Sequence, residues 1–77
     1  AKLMIAPYHP PVKYSIEIKG HKTSVSLEPV FWEMLKEIAH SQGVPINSLI
    51  AQIDEERIHC NQPSGLASAI RVWLITR

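Results

Sequence analysis

In the run KTSVSL, Lys22, Ser24 and Ser26 recur at every second position, so a strand built there carries them on one side and Thr23, Val25 and Leu27 on the other. A lysine ammonium only donates hydrogen bonds, whereas a serine hydroxyl donates and accepts, so this row can bind the polar edge of a ligand. The solvated side of a half-buried sheet has the same composition, and that plainer reading stands beside it. Catalysis has no candidate: no nucleophile lies beside a base in a recognisable motif, and no glycine-rich phosphate loop is present. His9, His21, His40 and His59 invite a metal, but none is paired at ligand spacing, and a helix would point the adjacent His59 and Cys60 in different directions. No enzyme activity, metal or cofactor is expected. Cys60 reads as a small apolar residue, and Asn47 and Ser48 as the polar start of a helix.

The bulk of the chain narrows the partners. One domain of 77 residues, 45% of them apolar, is globular in character but buries a modest core, and chains of this size commonly need a disulfide, a metal or a second subunit. A lone cysteine provides no internal disulfide and suits a reducing, cytoplasmic setting. The N-terminal AKLMIA is too short an apolar run for a signal peptide or a membrane span, so no membrane association is expected. A homodimer is therefore the expected form. The net charge of +1 is unevenly spread. Lys2, Lys13, Lys19 and Lys22 outweigh Glu17 before residue 28, whereas Glu28, Glu33, Glu37, Asp54, Glu55 and Glu56 dominate the middle against Lys36 and Arg57. A nucleic-acid footprint would lie on the basic strand side.

The elements that must hold these residues follow from spacing. Residues 1–13 read as a proline-rich extended arm, because Pro7, Pro10 and Pro11 each fix their own φ and push the preceding residue out of the α region. This arm is a candidate for docking a protein partner. Residues 14–77 read as a single domain. YSIEIK alternates over 14–19 with Tyr14, Ile16 and Ile18 on one side, and KTSVSL alternates over 22–27. With Gly20 first in a type II′ turn, Ile18 would pair with Thr23 and Ile16 with Val25; one long bent strand through Gly20 is the alternative. Three amphipathic helices are expected, over 29–42, 45–60 and 63–76. Pro29 and Pro45 open the first two, Gly43 ends the first, and Arg71 and Arg77 of the third turn to water.

The stretch TSVSLEPVFWEMLKEIAHSQGVPINSLI, residues 23–50, resembles the ribbon-helix-helix superfamily of the Arc and MetJ repressors. It has an alternating strand, the apolar pair Phe31 and Trp32, Leu35 and Ile38, then a glycine followed by Ile46 and Asn47. With its third helix the chain looks like a small bacterial branch of that superfamily. The resemblance implies a mainly α fold with a short β ribbon, an intertwined homodimer with Val25, Leu27, Phe31, Trp32, Leu35 and Ile50 in the dimer core, and double-stranded DNA as partner. It further implies a transcriptional regulator whose ribbon enters the major groove. Lys22, Ser24 and Ser26 would then contact bases, and Ile46, Asn47 and Ser48 at the second helix's start would contact phosphate, joined by Lys19 and His21 at the hairpin tip. The alternative is an interaction module, antitoxin-like or a dimer without DNA binding.

Overall fold

The computed structural model describes residues 8–60 and 65–77. Two strands, β1 (Val12–Ile18) and β2 (His21–Leu27), form an antiparallel hairpin, followed by α1 (Pro29–Gln42), α2 (Ile46–Ile58) and α3 (Leu66–Ile75). Most of the expected arm, residues 1–7, and the expected start of the third helix at Pro63 or Ser64 lie outside the described residues.

The hairpin settles the question at Gly20 and corrects its register. Lys19 and Gly20, at φ 52° and 80°, are the two central residues of the turn, a type I′ signature, in place of the expected II′ turn with Gly20 first. Ile16 therefore faces Thr23 and Tyr14 faces Val25, while Val12 and Lys13 join the strand opposite Leu27 and Ser26. A left-handed lysine costs about 1 kcal/mol. Against that cost, the observed register extends pairing to Val12, and it seats Tyr14 on Trp32 with ring centroids 4.1 Å apart and planes within 2° of parallel. Such an aromatic contact contributes about 0.5–1.5 kcal/mol beyond its buried area.

One face of the hairpin is covered by helices. Ile16, Val25 and Leu27 from the ribbon meet Leu35 and Ala39 of α1, Leu49, Ile50 and Ile53 of α2, and Ile70 and Leu74 of α3 in a single core. α1 ends where Gly43 adopts φ 71°, so that the Val44 amide donates to the Ala39 carbonyl and the Gly43 amide to that of His40; a Cβ at 43 would meet no neighbour, so the backbone conformation alone favours glycine. Pro45 precedes α2 in extended conformation, and the turn is short enough to fold α2 back on α1.

Two charged residues are not fully solvated. Asp54, one of the acids of the middle segment, is buried and accepts from Arg57 Nε and Nη2 at 2.9 and 2.7 Å. Arg71, expected in water, is half-buried, and its Nε donates to Glu28 Oε1 at 3.0 Å, tying α3 to the joint between β2 and α1.

Candidate nucleic-acid interface

The hairpin's other face is polar and open. Its three cross-strand pairs are Lys13 with Ser26, Ser15 with Ser24, and Glu17 with Lys22, and all six residues are exposed. Lys22, Ser24 and Ser26 thus share one surface, as their alternation requires. β1 doubles this surface: the alternation of YSIEIK already puts Ser15 and Glu17 on the outward side, and the structure adds Lys13, which the sequence reading places in the extended arm. Among the described residues neither Glu17 nor Lys22 is held in an ion pair, so both side chains are available to a ligand.

Backbone geometry adds an edge that is free among the described residues. A two-residue turn makes Ile18 and His21 a hydrogen-bonded pair, and the antiparallel alternation then turns the amides and carbonyls of Lys22, Ser24 and Ser26 away from β1. The same alternation turns the Glu17 amide out on the opposite edge, where it donates to Asn47 Oδ1 at 3.3 Å. Asn47 therefore caps the β1 edge and makes no cap for its own helix, which begins without a side-chain cap. Ser48 and Leu49 donate their amides to the Pro45 carbonyl, and the amides of Ile46 and Asn47 lie before them at the positive end of the helix dipole. An open groove of about 490 Å³ beside Asn47 is lined by Ser15, Ile16, Glu17, Lys22, Thr23 and Asn47.

At the hairpin tip, Lys19 Nζ donates to Glu55 Oε1 at 2.7 Å. That hydrogen bond and the charge behind it raise the lysine pKa above its ordinary value and hold the Glu55 carboxyl below its own. The two side chains remain 59% and 49% exposed, so water and salt screen the pair and an anionic ligand can compete for the lysine. His21 is exposed beside it.

The six residues expected at a dimer core divide into two groups. Val25, Leu27, Leu35 and Ile50 are already buried within one chain, because β1 and α3 help to enclose them. Phe31 and Trp32 are half-buried at the edge of that core. Among the described residues no three histidine, cysteine or carboxylate side chains gather as metal ligands, and no helix is long and apolar enough to cross a membrane.

A polar-faced β hairpin backed by three successive helices defines a class of small ribbon-and-helix domains. The chain belongs to the ribbon-helix-helix domain family, whose sequence profile matches residues 11–77 and so takes in β1 and α3 as well as the ribbon-helix-helix core. Domains of this kind are typically dimeric, non-enzymatic, and found in DNA-binding regulators or antitoxins. No curated protein and no solved structure shows a significant match.

Proposed function

We propose that the chain is a homodimeric, sequence-specific DNA-binding protein acting as a transcriptional regulator. The observation that carries this reading is the ribbon's two-sidedness: a buried apolar face, an exposed face of hydrogen-bonding side chains, and a β2 edge that is unpaired among the described residues. A free strand edge invites pairing with its like. When β2 meets its twofold copy through the outward amides of Lys22, Ser24 and Ser26, Ser24 stands opposite Ser24 of the second copy, and all apolar residues stay on the helical side. The central ribbon then offers Lys22, Ser24 and Ser26 to base edges in the major groove, lysine donating to guanine O6 or N7 and serine to either base pair. Ile46, Asn47 and Ser48, with Lys19 and His21, face the phosphates, which fix register without reading sequence.

Two observations favour the second reading, an interaction module that does not bind DNA. The net charge is only +1, and Glu17 stands on the face that would meet a polyanion. Selection of bound duplexes from random DNA decides between them. The regulator reading expects an enriched sequence, and expects Lys22→Ala with Ser24→Ala to lose that preference and weaken binding by at least tenfold, at about 1–3 kcal/mol of discrimination per base contact. Absence of binding at low salt, or binding indifferent to both substitutions, sinks it.

A further inference from the structure

The exposed face of β1 belongs to no role assigned so far. Strands lie about 4.8 Å apart, so in a sheet of order β1, β2, β2, β1 about the twofold axis each β1 runs roughly 7 Å from that axis. The major groove is about 12 Å wide, so its walls stand about 6 Å from its centre line. The two inner strands fit between the walls, and the outer ones come to rest over the rims, where the phosphates are. Cross-strand register then gives the surface a definite charge pattern. The intrachain pairs Lys13 with Ser26, Ser15 with Ser24, and Glu17 with Lys22, joined through Ser24 to its copy, make three rows. The middle row is four serines. Each flanking row reads Glu17, Lys22, Ser26, Lys13 across the sheet, so every rim carries a lysine at one end of β1 and a carboxylate at the other. The twofold places the two lysines on one diagonal and the two carboxylates on the other.

We propose that β1 is a phosphate-contacting outer strand, in which Lys13 meets the DNA backbone at each rim of the groove and Glu17 repels it from the opposite diagonal, so that the pair sets the angle at which the sheet crosses the duplex. This rests on the DNA-binding reading and extends it to a strand that the ribbon-helix-helix core does not require. Ser15 is positioned to donate to the same backbone. Phosphate contacts carry affinity and salt dependence with no sequence information, which separates β1 from the base-reading β2.

The test uses the full chain and the duplex that wild-type protein enriches from random DNA. With Lys13→Ala, the slope of log affinity against log salt is expected to flatten by about 1.8, for two lysines per dimer at about 0.9 each, while the enriched sequence stays the same. Glu17→Gln is expected to tighten binding several-fold on every duplex, enriched or not. Both side chains are exposed, and matching circular dichroism melts establish that each variant is folded. An unchanged slope in Lys13→Ala, a shift in the enriched sequence, or unaltered affinity in Glu17→Gln overturns the proposal while leaving DNA binding intact. Failure of the wild-type chain to bind any duplex overturns the DNA-binding reading itself.

Discussion

Glu28 illustrates what a single residue does at a joint. It is the last residue before α1, and its carboxylate accepts from Arg71, two and a half helices further along the chain. The same guanidinium lies 6.0 Å from the Phe31 ring centroid, so one side chain fastens α3 to both the carboxylate and the aromatic edge of α1. The Arg71 hydrogen bond, helped by Glu28's own backbone amide, holds the Glu28 carboxyl below its ordinary value of 4.5. A carboxyl whose folded pKa is depressed favours folding above the unfolded value, and that contribution is lost as pH falls through the folded one. Thermal melts of Glu28→Gln and wild type are therefore expected to differ at pH 7 and to converge as pH drops below about 4. A difference that persists undiminished at pH 3 would assign the effect to packing and not to charge. No local pattern announces this contact. Helical periodicity places Arg71 outside the apolar stripe of α3, which is correct, but which carboxylate waits there depends on how α3 crosses the β2–α1 joint.

At the scale of elements, the alternation in YSIEIK and KTSVSL was sufficient to assign extended chain and its inward faces on both sides of Gly20, because a half-buried strand must alternate, whereas the hairpin between them came from the structure. The register was not legible in the same way. Turn chemistry disfavours lysine at positive φ and points to Gly20 as the first turn residue, whereas the observed turn accepts Lys19 there. What outweighs the local preference is non-local: Tyr14 lying on Trp32 and the extension of pairing to Val12. The helices were legible to within a few residues because Pro29, Pro45 and Gly43 mark their ends, whereas the burial of Asp54 depends on its bidentate partner Arg57 one turn away. Because register decides which residue stands beside the twofold axis, it has a direct chemical readout. In a Cys60→Ser background, Ser24→Cys is expected to form a disulfide-linked dimer on mild oxidation, since a hydrogen-bonded antiparallel pair places its Cα atoms about 5.5 Å apart. Ser15→Cys, on the outer strand and about 14 Å from its copy, is expected to stay monomeric on a non-reducing gel. Equal crosslinking at both positions, or none at Ser24→Cys, would remove the edge-to-edge pairing of β2.

For the whole molecule, the placement of the core changes what dimerisation has to supply. A single strand and two helices would have to share their apolar residues with a second copy, as the resemblance implies. Here β1 and α3 help to enclose Val25, Leu27, Leu35 and Ile50 within one chain, so the second copy is left to satisfy the backbone of the β2 edge and to cover Phe31 and Trp32. The two arrangements respond differently to dilution. If folding and association are one event, a hundredfold dilution shifts the balance by about 2.7 kcal/mol per dimer, and at about 2.1 cal/mol/K per residue over two chains this lowers Tm by roughly 8 °C, repeated for each further hundredfold. If each chain folds around its own core and joins its copy along an edge, Tm falls only until the dimers have dissociated and then reaches a floor. The floor is the expected result, with the elution volume passing from dimer to monomer across the same range of concentration. A Tm that continues to fall with dilution, with no folded monomer at any concentration, would show that the buried residues of one chain depend on the other after all. The sheet would then have to be rebuilt as a shared core before the rows of Lys13, Ser15 and Glu17 could be placed over the groove.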